Sequence, residues 1–422
     1  MKKKWTSLLA AFVMVFVLAT GVQAQGNTAT ASEAVKVWIN DEEVQFGANA
    51  PVEVDGTTLV PVRAVLEALG YTLVWDEAKQ VVIAEKYGFS IALQIGNPVG
   101  AVNGASKELT AAPQILKGST YVPVAFISEA IGYELKWDAA NRSVLLTKEA
   151  SKGYLWKVEK DGVEVHLMGS IHVGDPNLYP LRDEVEQAFD DSDHLVVEVD
   201  VTKAGEESVQ KEIAAIQVYA DGTTLKDHIS ADTYTRVQSF LKDLGLELNA
   251  YDTFKPWSVN LDMSNYASAT AGYQGGIGID MYYLNRALAS NKPVLELESF
   301  TSQLQVFDSF SKELQESQLN ETLDGIFGVK ETTEPTLNAL ADLWIQGDDA
   351  GLEALVAELH KEEEFYEKLV KNRHAGMLEK IEGYLNNEKK ESYFVVAGYL
   401  HMLGEDGLIT LLKEKGYTVT RI

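Results

Sequence analysis

The spacing of apolar residues changes period several times along this chain, and each change predicts an element. In DGTTLVPVRAVLEALGYTLVWDEAKQVVIAE, which begins at Asp55, Val62, Val65, Leu66 and Leu69 recur at helical spacing. Pro61 opens that helix, where its missing N–H costs nothing, and Gly70 closes it. YTLVW and QVVIA then alternate as two strands of a hairpin around DEAK. The pattern returns in GSTYVPVAFISEAIGYELKWDAANRSVLLT, from Gly118, at an offset of 62 residues. Val60, Pro61, Gly70, Tyr71, Trp75 and Asp76 thereby meet Val122, Pro123, Gly132, Tyr133, Trp137 and Asp138. Residues 35–148 are predicted to form a small α+β module built from two repeats. Trp75 and Trp137 read as packing residues, and the module as a unit for binding or spacing.

From Gly153 the pattern changes. LWKVEKDGVEVHLMGSIH reads as two strands around an Asp161-Gly162 turn. Helical and strand periods then alternate. LRDEVEQAFDDS is helical, HLVVEVDV a strand, and Lys203 to Leu244 mostly helical. GIDMYYLNRALAS is a helix, KPVLELES a strand, and Thr301 to Asn387 a long helical section. YFVVAGYLH, EDGLITLLKEKG and YTVTRI close the chain as strand, helix and edge strand. This predicts an α/β domain over 153–422, with a mixed central sheet and a large helical insertion. GYQGGIGID, from Gly272, lacks the dinucleotide fingerprint and reads equally as a flexible loop lining the cleft or as a plain connector. AGLEALVAELHKEEEFYEKLVKNR reads as a charged helix pair with a solvated face.

Composition narrows the function. The formal net charge of −27 and a pI near 4.6 repel nucleic acid and anionic membranes. There is no cysteine, hence no disulfide, thiolate nucleophile or Cys-ligated metal. MKKKWTSLLAAFVMVFVLATGVQA combines a lysine cluster, an apolar run and a small-residue exit. It is expected to be a secretory signal over 1–24, cut after Ala24, with a polar linker at 25–34. No later apolar run has membrane length, so a secreted protein without a membrane span is expected.

Chemistry gathers at strand ends. VEVHLMG leads to His172, HLVVEVD carries Glu198, KPVLELES carries Glu296 and Glu298, and YFVVAG leads to His401. In open α/β sheets, sites form beyond the carboxyl ends of the strands. The glycine of each G-x-x-H lets the chain bend and approach closely. Two imidazoles and a carboxylate make a ligand set for a divalent metal with open positions. A second carboxylate would serve as general base. Glu198, a charge inside an apolar strand, is the preferred ligand. Glu298 is the preferred base, being nearer its strand end than Glu296, although the sequence does not order Glu198 and Glu298 between the two roles. His166, His194, His228, His360 and His374 are read as ordinary structural histidines.

The repeated PV…GY…WD pattern closely resembles the copper amine oxidase N-terminal-like domain, an accessory unit of secreted bacterial proteins. The resemblance implies association with a cell wall but no copper chemistry, since neither repeat has a histidine. LMGSIHVGDPNLYPL, LVVEVD, GIDMYYLNRALASNKPVLELES and FVVAGYLHMLGEDGLITLLKEKGYTV closely resemble the TraB/PrgY/GumN family, related to the Tiki-type metal-dependent proteases. That resemblance implies peptide or protein hydrolysis with a divalent ion such as manganese or cobalt, zinc being a third possibility. It marks His172, His401 and Glu198, with Glu298 and Asp280 as further candidates. The family's Arg-Asn helix implies a substrate- or oxyanion-binding role for Arg373, with His374 departing from the Asn of that pattern. Two other readings follow from the same relatives: a non-catalytic peptide-binding protein of the envelope, and haem binding.

Overall fold

The computed structural model describes residues 35–86, 88–329 and 336–422. The expected leader 1–24 and linker 25–34 lie outside the described residues. The repeat module folds as its periodicity predicts. Its helices are Val62–Ala68 and Val124–Ile131, each preceded by the predicted proline. Strands Thr72–Asp76 and Val81–Lys86 form the predicted hairpin, as do Glu134–Asp138 and Ser143–Thr147. The two repeats pair with each other through Thr57–Pro61 and Ser119–Pro123, where Val60 faces Val122. The first strand, Lys36–Ile39, runs parallel to Ser143–Thr147 and closes the module on its own end. Trp75 and Trp137 face buried Val82 and Val144, but they sit on edge strands and are 36% and 43% exposed.

The second domain is the predicted α/β domain. Its strands are β1 (Tyr154–Lys160), β2 (Val163–Ser170), β3 (His194–Val199), β4 (Val294–Glu298), β5 (Tyr393–Gly398) and β6 (Thr418–Arg421). The sheet order is β4-β3-β5-β2-β1-β6. β2, β3, β4 and β5 are mutually parallel, while β1 and β6 pair antiparallel at one edge, so the sheet is mixed. β5 is buried at every position, as a central strand covered on both faces must be. Helices from the long 301–387 section cover one end of the sheet and place Trp344, Met377 and Ile381 in its core. Among the described residues no helix is long and apolar enough to cross a membrane.

The module packs against the second domain. Ile277 of the second domain is buried inside the module's own apolar cluster. Gln274 Nε2 donates to the Asn103 carbonyl at 3.0 Å, and Lys148 Nζ donates to the Pro176 carbonyl at 2.6 Å. These contacts grip two segments, one just after His172 and one just before Asp280.

Candidate functional site

Four parallel strands end on the same side of the sheet, and their ends carry the predicted residues. Ser170, the last residue of β2, lies in register with Gly398, the last of β5. His172 follows the first and His401 the second, one 3-10 turn later. Between them, on β3, stands Glu198, only 3% exposed. Its Oε2 accepts the Gly398 N–H at 2.7 Å. A Cβ on Gly398 would lie 3.3 Å from both Glu198 Oε2 and His172 Nε2, and 3.5 Å from the His401 ring. Any side chain there would fill the space on which the three groups converge. Gly169 serves packing instead: a Cβ would press on Tyr154 and Tyr399 at 3.0 Å.

His172 is held from behind. Its Nδ1 meets Asp280 Oδ2 at 2.9 Å, and Asp280 Oδ1 accepts from Ser170 Oγ at 2.9 Å. Asp280 lies in the first turn of helix α1 (Ile279–Ser290), whose Ile279 N–H bonds the Ile171 carbonyl at 3.0 Å. The carboxylate keeps the Nδ1 proton, so Nε2 is the nitrogen free to titrate. It faces Glu198 Oε2 at 3.9 Å. The Asp280 charge pushes the His172 imidazole up to about 9. The side chain is 58% exposed, and water weakens that attraction.

His401 is buried, and its tautomer follows from its neighbours. Arg373 Nη1 lies 3.0 Å from His401 Nε2. A guanidinium only donates, so Nε2 carries the lone pair and Nδ1 the proton. That proton points at His374 Nε2, 3.0 Å away, which must therefore accept. Burial pushes His401 down to about 3 and His374 down to about 4, so both are neutral at pH 7. Burial works to raise the Glu198 carboxyl. The adjoining His172 and Arg373 charges and the Gly398 N–H outweigh it, and Glu198 stays ionised well below the usual carboxylate range.

Arg373 occupies the middle of the cluster and is 8% exposed. Its Nη2 donates to both Glu198 and Glu298, and its Nε donates to Glu298 Oε2 at 2.9 Å. It leaves a π turn, Glu367–Lys371, at the start of helix α2 (Asn372–Leu385). Such turns inside helices are frequent at functional sites. Gln303 Nε2 adds a bond to Glu198 Oε1 at 3.0 Å. Glu296 points elsewhere, pairing with Lys203 at 2.8 Å.

Sequence and structure thus agree on bringing His172, Glu198, Glu298, Arg373 and His401 together. Two expectations need correction. His374, read as an ordinary structural histidine, is buried against His401. The end of AGLEALVAELHKEEEFYEKLVKNR, read as a solvated face, buries Arg373 among carboxylates. The signal for both was the Arg373-His374 pair itself. Gln303 carries no signal in the sequence, because a helix-borne glutamine has no pattern of its own.

Could these residues hold a divalent ion? Among the described residues, no three acidic or imidazole groups stand close enough to share one as they are placed. The donor chemistry nonetheless fits. Each histidine presents Nε2 toward Glu198 at 3.9 Å. A carboxylate behind one ring and an imidazole behind the other fix their orientation, as the hydrogen-bond partners of metal-binding histidines do. Arg373 holds the position facing His401 Nε2 and would have to withdraw from it.

Residues 38–146 match the profile of the copper amine oxidase N-terminal domain. The uncharacterized protein YbaP of Escherichia coli K12 is 23% identical over 248 residues, covering 59% of this chain and 87% of YbaP. YbaP of Shigella flexneri matches to the same extent. A protein named protease inhibitor from Brevibacillus choshinensis is 39% identical over 80 residues, 19% of this chain and 24% of that protein. Residues 154–421, well over half the chain and all six strands of the mixed sheet, match the TraB/PrgY/gumN profile, and the chain belongs to the TraB/PrgY/gumN family.

Proposed function

We propose that the second domain is a divalent-metal-dependent hydrolase of peptide bonds, acting outside the cell after removal of the leader. The observation that carries this reading is the Asp280–His172–Glu198 alignment, with one imidazole nitrogen tied to a carboxylate and the other aimed at the buried glutamate. His172, Glu198 and His401 would hold the ion. A bound divalent ion supplies Lewis acidity and a more acidic water at neutral pH. Around it, Asp280 and His374 fix the two rings. Glu298 would receive a proton, and the Arg373 guanidinium would meet a developing negative charge on the substrate. The Arg373 contact with His401 favours a second reading, peptide capture without turnover, because the cluster is already closed by one internal cation.

The test is the thermal stability of the full chain with manganese, cobalt or zinc, beside His172→Ala/His401→Ala. An ion at one hundred times its Kd adds about 2.7 kcal/mol to the folded state. In a domain of this size that raises Tm by about 5–10 °C. A rise in wild type alone supports the ion site, and cleavage of a peptide library that a chelator stops completes the case. Equal Tm in both proteins, with stoichiometric peptide binding and no product, would establish capture instead.

A further inference from the structure

A cavity of about 100 Å³ lies between the repeat module and the second domain, away from the strand-end cluster. A single water needs roughly 10–15 Å³ measured in this way, so the space is several times larger. Clefts at domain boundaries with aromatic walls and a few polar groups are the usual form of small-molecule sites.

Both repeats line this space. Tyr71 and Tyr133 are repeat partners in its wall; Lys86 lines it too, while its repeat partner Lys148 does not. Each lysine reaches the carbonyl at the end of its own repeat's helix, Lys86 to Leu69 at 2.9 Å and Lys148 to Ile131 at 3.4 Å. There the symmetry breaks. Lys148 gives a second N–H to Pro176 of the second domain, whereas Lys86 has no second acceptor among the described residues. The Tyr71 and Tyr133 hydroxyls likewise have no hydrogen-bond partner among the described residues. The second-domain tyrosines in the same wall are satisfied: Tyr179 donates to the Ile277 carbonyl at 2.8 Å, and Tyr282 to Glu186 at 2.7 Å. Glu186 is also committed to Arg286.

Among the described residues the cavity therefore holds one ammonium with a single acceptor, the Leu69 carbonyl, and two phenols with none, and its carboxylate, Glu186, is already paired. Burial raises the Tyr71 hydroxyl, and Tyr133 is near enough to raise it further, so the two phenols share one space. Burial also lowers Lys86, which an anion would reverse. Phe89 and Ile277 supply apolar wall. One cation with two neutral donors suits a monoanion; a phosphate dianion is usually met by guanidinium forks or a helix N-terminus.

We propose that this interdomain cavity binds a small apolar carboxylate, the acid group taken by Lys86, Tyr71 and Tyr133 and the apolar body by Phe89 and Ile277. The carboxylate could belong to a free acid or to the C-terminal residue of a peptide. Two of its wall residues lie on segments that lead to the candidate site, Pro176 just beyond His172 and Ile277 just before Asp280. An occupant would brace both segments.

Calorimetric titration of the full chain with N-acetyl-L-phenylalanine tests this. Expected is one-to-one binding with a Kd below about 1 mM, which N-acetyl-L-phenylalaninamide does not reproduce. Lys86→Met and, separately, Tyr71→Phe/Tyr133→Phe should each weaken it at least tenfold. The phenylalanine double variant preserves shape, so it speaks even if Lys86→Met fails to fold. His401→Ala should bind as wild type does. A Phe-ending tetrapeptide that binds more tightly than the free acid would identify the source as a peptide terminus, and the reverse a free acid. No saturable binding of either probe, binding indifferent to the two phenols, or loss in His401→Ala would overturn the proposal.

Discussion

Arg373→Met should be among the most damaging single changes in the second domain. The variant keeps the length of the side chain but leaves Glu198 buried without its guanidinium. Breaking a buried ion pair from one side costs about 3–5 kcal/mol. Glu198 retains the Gly398 N–H and the Gln303 amide, so the lower end of that range is expected. For a domain of this size the Tm should fall by roughly 6–12 °C. The sign of the pH dependence follows from Glu198. Its folded pKa is depressed below the ordinary 4.5, so its contribution is present above that value and lost as pH falls through the folded pKa. Without Arg373 the folded pKa rises; the unfolded state is common to both chains, so the gap between variant and wild type is full above the variant's folded pKa and narrows as pH falls through it. Urea unfolding at pH 7 and at steps down into strong acid, followed by circular dichroism, measures both. Glu198→Gln and the double variant complete a cycle, in which the double change should cost less than the sum by more than 1 kcal/mol. Additive costs, or a gap independent of pH, would show that Arg373 and Glu198 are not the coupled pair described here.

His374→Ala removes the acceptor for the His401 Nδ1 proton and should cost about 1–3 kcal/mol in urea unfolding, most of it restored by His374→Asn. Asp280→Asn should weaken manganese binding about 10–100-fold by calorimetry while barely changing Tm without metal; unchanged affinity would remove Asp280 from any orienting role. Ion binding at pH 7 should release up to one proton, because His172, raised toward about 9, must lose the proton on Nε2. Titrations in buffers of different ionisation heat count it, and the release should vanish above pH 9. Lys148→Ala should speed amide exchange in the Pro176–Leu178 turn without affecting β5; equal exchange would mean the module does not brace that turn.

The fold was legible wherever one period governed a segment long enough to count. The repeat at an offset of 62 gave the helix and hairpin of each copy, and the apolar runs gave the strands of the mixed sheet. The cluster was legible for the residues that break a pattern: Glu198 inside an apolar strand, and glycine and histidine just after two others. What escaped depends on contacts across long stretches of sequence. His374 sits at a position that looks like any other on a charged helix. Its burial arises only because α2 crosses the sheet against β2 and β4 and sets that face on the His401 turn, a packing choice no local period encodes. The docking of the module on the second domain is illegible in the sequence for the same reason. Nothing in GYQGGIGID shows that Ile277 will enter the core of another domain.

Arg373 connects these points. Glu198, Glu298 and Asp280 bring three negative charges to one end of the sheet, against one guanidinium and one imidazole that is protonated at neutral pH. Such a cluster is stable as it stands only because Arg373 is central and fixed by the Leu369 carbonyl as well as by both glutamates. A divalent ion replacing the His172 proton would bring the group to neutrality without removing Arg373 from the carboxylates. It need only release His401 Nε2. The guanidinium is the internal counter-ion of the closed site; under the proposed function it would also be a donor aimed at substrate, were an ion to face His401. A lysine could not do both, since a single ammonium lacks the separated donors with which Arg373 holds Glu198 and Glu298 while reaching His401.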